Sequence, residues 1–147
     1  MFEVKIATSE QECEAAFTVR KKVFVEEQGV PLTMEIDEHD SSASHFVVYD
    51  GPKAIAAGRI RTVASEVGKV ERVCVLKEYR GQHLGVLIMN SLEEHAKNAG
   101  IQKILLNAQS YAIPFYEKLG YAVTSPEFMD ADIPHRAMEK QVEPALK

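Results

Sequence analysis

A change of hydrophobic period in the middle of the chain constrains the fold more than any other feature. The run from Val70 to Leu76 is strongly apolar and predicts a buried strand. A polar, glycine-containing turn, Tyr79 to Gln82, follows it. Beyond the turn, one helix face recurs at steps of three and four residues: Leu84, Ile88, Leu92, His95 and Ala99. Ile101 to Leu106 then predicts another strand, and a strand, a helix and a strand in this order normally form a parallel pair with a right-handed crossover.

The segments before and after this unit predict further strands and helices. Ser9 and Glu12 have the spacing of a capping box, so a helix begins there, and one of its faces carries Cys13, Ala16, Phe17, Arg20 and Phe24. Asp50-Gly51 is a hairpin signal, which indicates an antiparallel meander, whereas the polar stretch up to Ser44 predicts irregular structure. The remaining predicted elements are the strands 2–6, 45–49, 54–63, 121–124 and 136–142 and the helix 113–119. The fold class is therefore α/β, of the α+β kind, with a mixed and mostly antiparallel sheet.

Length and composition indicate one soluble domain. The 147 residues carry 17 Lys and Arg against 22 Asp and Glu, and this net charge of −5 argues against a nucleic-acid binder that works by surface charge. No apolar run approaches the ~20 residues that span a bilayer, and the N-terminus has no secretory pattern. Cys13 and Cys74 lie far apart without a CxxC spacing, which excludes a disulfide framework or a cysteine-rich metal site. The expected location is the cytoplasm.

The turn before the long helix is the strongest candidate for an anion-binding site. The first turn of a helix has four N–H groups without internal partners, and the helix dipole is positive there. Glycines let a pyrophosphate approach those groups closely, and Arg80 adds a permanent charge with a planar set of donors. The run Arg80-Gly81-Gln82-His83-Leu84-Gly85 is neither a Walker P-loop nor a GxGxxG dinucleotide motif. The alternative is an ordinary strand-to-helix connection whose glycines only satisfy the turn geometry.

These six residues resemble motif A of the GNAT superfamily of N-acetyltransferases, whose pattern is Arg/Gln-x-x-Gly-x-Gly/Ala. Asn107 and the run Pro114 to Tyr121 resemble motif B of the family, in the right order and at a plausible distance. The segments Arg20 to Val30 and Glu35 to Asp37 are similar to a small bacterial branch of the superfamily. The resemblance covers nearly the whole chain. It implies a single GNAT domain over residues 1–147, with about six or seven strands and about four helices.

The resemblance also implies acetyl-coenzyme A as the donor substrate and an amine as the acceptor, with no metal. The residues that it implies in coenzyme A binding are Val73, Cys74, Val75, Arg80, Gly81, Gln82, His83, Leu84, Gly85, Asn107 and Phe115. In the family, the strand that carries residues 73–75 bulges, and its N–H groups meet the thioester carbonyl and the pantetheine arm. His83 departs from the motif, because the family has glycine there. We expect His83 to keep the geometry of a first helical turn with its ring outward; the alternative is a ring that faces the phosphates.

Tyr116 and Glu71 are the catalytic candidates. In the family, a tyrosine at the motif position of Tyr116 lies near the thioester sulfur, and a phenol with a pKa of ~10 can give its proton to a thiolate. By alternation Glu71 shares a strand face with Val73 and Val75, and a buried carboxylate can become a base for the amine. The alternative base is His45. The alternative for Glu71 is an ion pair with one of three arginines: Arg59, Arg61 or Arg72.

Four carboxylates lie within six residues: Glu35, Asp37, Glu38 and Asp40. Such a loop either attracts cationic amines to an active site or is a solvated surface loop. Arg20, on an otherwise apolar helix face, either binds an acidic group of the acceptor or pairs with Glu35 or Asp37. The candidates for acceptor binding are Arg20, Phe24 and His45. The expected acceptor is a small-molecule or peptide amine, with no nucleic acid or membrane partner, and a homodimer is one of the oligomeric states left open.

Two alternative functions remain. Arg20, Phe24 and the acidic residues after them are similar to the N-terminus of acyl-homoserine-lactone synthases, which share the fold but are longer. A non-catalytic acyl-coenzyme A-binding regulatory protein is the second alternative. Such a protein would keep Arg80 to Gly85 without needing Glu71 and Tyr116, so the presence of both favours an enzyme.

Overall fold

A computed structural model describes residues 2–143, and within that range the chain forms eight strands and four α-helices. The strands are β1 (Phe2–Ile6), β2 (Ser44–Asp50), β3 (Lys53–Ala64), β4 (Val67–Val75), β5 (Lys103–Gln109), β6 (Ala122–Val123), β7 (Phe128–Asp130) and β8 (Ile133–Gln141). The helices are α1 (Glu10–Arg20), α2 (Leu32–Glu35), α3 (Leu84–Asn98) and α4 (Ile113–Lys118).

The strands pair in the order β1-β2-β3-β4-β5-β8-β6, and β7 also pairs with β8. The pairs β1–β2, β2–β3, β5–β8, β6–β8 and β7–β8 are antiparallel, and β4–β5 is parallel. The parallel pair is joined through α3, as the change of hydrophobic period predicts. The predicted mixed, mostly antiparallel α/β fold is therefore confirmed.

The described residues fall into two compact units. The first comprises Arg72–Leu92 and the chain up to Arg61, and the second comprises Thr62–Glu71 and the chain from Glu93 onward. Three elements, β3, β4 and α3, therefore run continuously from one unit into the other. That the whole chain is one domain stays a prediction.

In the first unit, α1 begins where the sequence predicts. Ser9 accepts a hydrogen bond from the N–H of Glu12 at 3.1 Å, but the Glu12 carboxylate accepts from the N–H of Thr8 at 2.9 Å instead of closing the box on Ser9. After α1 the helix widens to a π-helical stretch, Lys21–Glu27. The buried positions of this region are Ala16, Val19, Arg20 and Val23. The buried face of the helix is thus rotated relative to the predicted one, because Cys13, Phe17 and Phe24 are only half-buried.

Gly58 on β3 lets α3 approach the strand closely. A Cβ built on Gly58 would lie 3.2 Å from Leu92 Cδ1 and 3.5 Å from Ile88 Cγ2. The apolar side chains of the first half of α3 therefore pack directly on the backbone of β3. This contact holds the start of α3, and with it the turn before the helix, against the sheet of the first unit.

In the second unit, β5 lies between β4 and β8. The parallel register runs from Val67 opposite Lys103 to Val70 opposite Leu106. Val70, Ile104, Leu106 and Met138 are almost completely buried and form part of its core. α4 ends before Gly120, whose φ of 97° is in the left-handed region that the predicted helix end requires.

Among the α-helices and strands of the described residues, α2 and β7 were not predicted. The stretch before Ser44 contains α2 and a 3₁₀ turn, Glu38–Ser41, where the sequence predicts irregular structure. β7 pairs with β8 through a hairpin whose two central residues, Ala131 and Asp132, have φ of 51° and 61°. A single helical turn is too short to show a period, and this hairpin lacks the glycine or asparagine that normally indicates such a turn.

Candidate active site

The turn between β4 and α3 is exposed and contains two left-handed residues. The N–H of Leu76 donates to the carbonyl of Ile55 at 2.9 Å, which ties the end of β4 to β3. Gly81 has a φ of 86° and His83 a φ of 61°, and both residues are exposed. α3 then begins at Leu84, and the N–H of Leu87 donates to the carbonyl of His83 at 3.1 Å. In a turn where a left-handed residue directly precedes a helix, successive N–H groups form a concave anion-binding site.

His83 does not have the backbone geometry that we expected. The sequence predicts a first helical turn, whereas a φ of 61° places His83 in the left-handed region, one residue before the helix. Histidine is one of the few side chains that tolerate this region, although glycine adopts it more readily. The position therefore needs a positive φ, and this is a second physical reason for glycine in the family motif besides space for the ligand.

Arg80 is held by a carboxylate of its own unit. Its Nη1 and Nη2 donate to the two oxygens of Glu27 at 2.7 and 2.8 Å, and its Nε donates to the carbonyl of Val75 at 3.1 Å. The hydrogen bonds from Arg80 lower the pKa of Glu27. Both side chains are partly exposed. A phosphate that bound the fork of Arg80 would therefore have to replace Glu27 there.

The predicted cofactor strand is irregular at Arg72. This residue lies inside β4 with a φ of 61°, and the parallel pairing with β5 ends two residues before it, at Val70. A left-handed residue in a strand interrupts the pleat as a bulge does, so simple alternation cannot be used to place Glu71 relative to Val73 and Val75. Their shared face stays a prediction.

Cys74 follows the irregular residue and is buried. Only 6% of its surface is exposed, and burial raises the pKa of its thiol to about 12. A thiol in this environment keeps its proton at neutral pH and is a poor nucleophile. Cys74 therefore contributes to the candidate site through its backbone.

Three arginines and three carboxylates of the first unit form one partly buried group, which we call the arginine–carboxylate cluster: Arg20, Arg59, Arg72, Glu35, Asp37 and Asp40. Arg20 Nε is 2.8 Å from Glu35 Oε2, and its Nη1 is 2.6 Å from Asp40 Oδ1. The two terminal nitrogens of Arg59 donate to the two oxygens of Asp37 at 2.8 and 2.9 Å. Arg59 Nη1 also donates to Asp40 Oδ1 at 2.7 Å. The side chains of both arginines are 1% exposed.

The cluster overturns the prediction for the acidic loop. Three of the four carboxylates of this loop neutralise arginines of the cluster, so they neither form a solvated surface nor offer free charge to an amine. Of the four, only Glu38 is exposed. Burial acts to raise the pKa of Asp40, but hydrogen bonds from Arg20 and from the backbone of Asp37 hold it well below its usual range. For Glu35, burial outweighs the neighbouring arginines and raises the pKa.

Of the three acceptor-binding candidates, Arg20 belongs to this cluster, His45 contacts it and Phe24 follows Arg20 by four residues. Arg20 is occupied by Glu35 and Asp40, so it is not available for an acidic acceptor in this structure. His45 is 5% exposed, and its Nε2 lies 2.8 Å from the carbonyl of Asp40. Its Nδ1 is buried without a hydrogen-bond partner among the residues that the structure describes. Phe24 is half-buried in the π-helical stretch.

The second unit holds the two catalytic candidates. Glu71 forms an ion pair with Lys69 at 3.6 Å, and its predicted pairing with an arginine stays a prediction. Tyr116 on α4 lies between two rings, with Phe115 at 5.0 Å and Tyr121 at 6.0 Å between centroids, both edge to face. The half-buried phenol of Tyr116 is thus oriented by aromatic packing.

A polar triad anchors the packing around Tyr116. The hydroxyl of Tyr121 donates to Glu93 Oε2 at 3.0 Å, and Lys140 Nζ donates to the other oxygen at 2.9 Å. Burial raises the pKa of Tyr121, so its phenol stays protonated and serves as a donor within the fold. Asn107, the remaining predicted residue of this unit, is exposed on β5.

The structure thus divides the predicted site residues between its units. The first unit contains residues 73–75, the turn from Arg80 to Gly85 and the acceptor-side candidates, and the second contains Glu71, Asn107, Phe115 and Tyr116. Sequence reasoning missed Arg59 as a partner of the acidic loop and Arg72 as an irregular position. For Arg59 a signal exists, because an arginine in the apolar run of β3 needs a buried partner.

Among the described residues, 2–143, no group of three or more His, Cys, Asp and Glu side chains is arranged to hold a metal ion. In the same part of the chain, no helix combines the length and the apolarity that crossing a bilayer demands.

Comparison with known proteins identifies the family. The family model of an acetyltransferase (GNAT) domain matches residues 4–142. The uncharacterised N-acetyltransferase YjcF of Bacillus subtilis is 49% identical over 136 residues, which cover 92% of this chain and 96% of that protein. The chain therefore belongs to the GNAT acetyltransferases, and this membership implies acyl transfer with acetyl-coenzyme A as the cosubstrate.

Solved structures agree with this assignment. The crystal structure of a protein from Lactobacillus plantarum, assigned as an N-acetyltransferase, has a TM-score of 0.89 at 30% identity and covers 95% of this chain and 97% of that one. The AHL synthase LasI has a TM-score of 0.79 over 96% of this chain and 91% of its own, at 14% identity. The likeness to LasI shows the fold alone, so it does not favour the synthase alternative.

Proposed function

We propose that the protein transfers the acetyl group of acetyl-coenzyme A to the amine of a small-molecule or peptide acceptor by direct attack in a ternary complex. The observation that carries the proposal is the exposed turn before α3, with its left-handed residues Gly81 and His83, in a chain that matches the family over residues 4–142. An exposed set of helix N-terminal N–H groups suits a pyrophosphate.

The donor substrate would be held by two segments of the first unit. The turn from Arg80 to Gly85 would bind the pyrophosphate, with the side chain of Arg80 available once it leaves Glu27. The N–H groups of residues 73–75 would bind the pantetheine arm and the thioester carbonyl, where they stabilise the oxyanion that forms during transfer. Asn107 and Phe115 of the second unit are the remaining proposed contacts.

The chemistry needs one base and one acid. An ammonium is not a nucleophile, so Glu71 takes a proton from the acceptor, directly or through water. The amine nitrogen then forms a bond to the acetyl carbon while the bond from that carbon to sulfur breaks. Tyr116 gives its proton to the departing thiolate, and the nitrogen loses its remaining extra proton to solvent, which reprotonates Tyr116, so the products are an amide and coenzyme A. The buried, hydrogen-bonded position of His45 makes it the weaker candidate base.

The proposal is tested by following thiol release from acetyl-coenzyme A with a library of amines: amino acids, polyamines, aminoglycosides and peptides. We expect turnover with at least one class, and the Tyr116→Phe variant should lower kcat while it leaves the Kd for coenzyme A nearly unchanged. Binding of acetyl-coenzyme A without turnover of any amine would instead favour the regulatory alternative. If acetyl-coenzyme A does not bind at all, the whole proposal is rejected.

A further inference from the structure

Arg72 is in a conformation that its side chain does not favour. A φ of 61° inside a strand is costly for a residue with a Cβ, and arginine gains no local hydrogen bond there as asparagine or aspartate would. Such a conformation persists only where the surroundings hold it. The contacts that hold Arg72 are therefore informative.

The guanidinium of Arg72 is tied at four points to the segment around α2. Its Nη2 donates to the carbonyl of Met34 at 3.2 Å and to Asp37 Oδ2 at 3.1 Å. Its Nε lies 3.3 Å from the carbonyl of Glu35 and 3.1 Å from Glu35 Oε2. The side chain is 23% exposed; its contacts with Glu35 and Asp37 are partly buried, whereas the one with Met34 is exposed.

The partners of Arg72 are themselves fixed. Asp37 is gripped by both terminal nitrogens of Arg59, and its carboxylate also accepts from the N–H of His39 at 3.0 Å. Glu35 is 2% exposed and bound to Arg20. The guanidinium of Arg72 thus docks into a rigid receptor within the first unit, and this docking balances the cost of the left-handed backbone.

We propose that Arg72 is a positioning residue, whose docked guanidinium holds the irregular backbone of β4 and thereby orients the N–H groups of residues 73–75 toward acetyl-coenzyme A. Residues 73–75 follow Arg72 directly, so any change of its φ rotates their peptide groups. The inference rests on the proposed function of these N–H groups. It gives the arginine–carboxylate cluster a role in donor binding in place of the acceptor attraction that the sequence suggests.

Substitution by alanine and by glycine separates this role from a merely structural one. Both variants remove the guanidinium, but glycine adopts a positive φ readily and alanine does not. We expect Arg72→Ala to weaken acetyl-coenzyme A binding at least tenfold in calorimetric titration, and Arg72→Gly to keep clearly more of the affinity. The matched control is Arg136→Ala, an exposed arginine on β8, which should bind as the wild type does.

A structural role would give a different result. If Arg72 only fastens α2, the two variants lose the same contacts, so they should bind acetyl-coenzyme A equally well even though the positive φ makes Arg72→Gly the more stable of the two. Equal affinities of the two variants, or wild-type affinity in Arg72→Ala, would overturn the proposal. A wild-type protein that fails to bind acetyl-coenzyme A would instead reject the proposed function itself.

A third variant keeps the test decisive if neither the Arg72→Ala nor the Arg72→Gly protein folds. Asp37→Asn leaves residue 72 intact but removes a charged partner of its guanidinium. We expect a severalfold weaker affinity for acetyl-coenzyme A and an unchanged acceptor KM. Unchanged affinity, or an effect confined to the acceptor KM, would show that the contact serves α2 rather than β4.

Discussion

At the scale of single residues, backbone conformation changes what a substitution at His83 should do. A glycine inside a helix costs about 1 kcal/mol, but His83 has a φ of 61° and lies before the helix. His83→Gly should therefore leave the free energy of unfolding unchanged or raise it by up to about 1 kcal/mol, since relief of the left-handed strain offsets the greater freedom of glycine in the unfolded chain. Urea denaturation measures this.

Glu94→Gly is the matched control for His83. Glu94 is exposed within α3, so glycine there should cost about 1 kcal/mol. His83→Val should also destabilise, because a β-branched residue tolerates a positive φ badly. A loss in His83→Gly equal to that in Glu94→Gly would mean that residue 83 is helical in solution.

Glu27 competes with the coenzyme phosphates for Arg80. The carboxylate holds the fork of Arg80 at 2.7 and 2.8 Å, and a phosphate would have to displace it. Glu27→Gln should therefore tighten coenzyme A binding severalfold, with a larger effect at low salt, because removal of a negative charge frees the guanidinium and reduces repulsion. Calorimetric titration at two salt concentrations measures it.

The reverse substitution gives the check on this competition. Arg80→Ala should weaken coenzyme A binding, and in an Arg80→Ala background Glu27→Gln should lose most of its effect. Weaker binding in Glu27→Gln alone would contradict the competition, since it would mean that the ion pair holds the turn in its binding shape.

At the scale of elements, the arginine–carboxylate cluster should make the attachment of α2 sensitive to acid. The pKa of Asp37 and that of Asp40 are lowered in the folded protein, so the stability they contribute is complete above the unfolded carboxyl pKa and is lost as the pH falls toward the folded values. Glu35 has a raised pKa and acts in the opposite sense, so it opposes the trend that Asp37 and Asp40 set.

Asp40→Asn tests the cluster. The Asp40 side chain is 8% exposed and pairs with Arg20 and Arg59, so its neutralisation removes one charged partner from each of two buried arginines and should cost about 3 kcal/mol at pH 7. Below about pH 5 the stability of the variant should depend less on pH than that of the wild type. Glu38→Gln, at an exposed carboxylate of the same loop, should change stability by under about 0.5 kcal/mol. Parallel pH profiles of Asp40→Asn and the wild type would refute the assignment.

The contact of β3 with α3 is a second feature of element scale. Gly58→Ala should be nearly neutral, because Leu92 Cδ1 at 3.2 Å has to give way only slightly. Gly58→Val adds two methyl groups at the same place and should cost about 2 kcal/mol in urea denaturation, since α3 must move from the strand. Equal stability of the two variants would mean that the helix is not closely packed there.

The elements show how far the sequence predicts the fold and where it stops. The hydrophobic period and the turn signals were sufficient to predict α3 and the parallel pair around it, because each of these patterns depends on neighbouring residues and extends over several of them. Arg72 carries no such signal: an arginine indicates no positive φ, and its cause is a set of contacts with residues more than thirty positions earlier. The same holds for the cluster, since composition shows the charges of Glu35 and Asp37 but not which arginines face them.

At the scale of the whole molecule, the two compact units should unfold together. β3, β4 and α3 each cross from one unit to the other without interruption, so neither unit can lose its structure without disrupting elements of the other. We therefore expect a single calorimetric transition with a van't Hoff enthalpy equal to the calorimetric one, as the prediction of one domain requires. Two resolved transitions would contradict it.

Acetyl-coenzyme A extends this test, because a ligand stabilises every part of a cooperative unit. At 100 times its Kd it should add ~2.7 kcal/mol, which for a chain of 147 residues corresponds to a rise of roughly 5–10 °C in Tm. Tyr116→Phe should show the same shift, because the phenol acts in transfer rather than in binding, whereas Arg80→Ala should show a smaller one.

Hydrogen exchange identifies which elements the ligand stabilises: protection should rise in β5 and β8 of the second unit as well as in the turn before α3. A ligand that protects only residues of the first unit would separate the units energetically and reject a single cooperative domain.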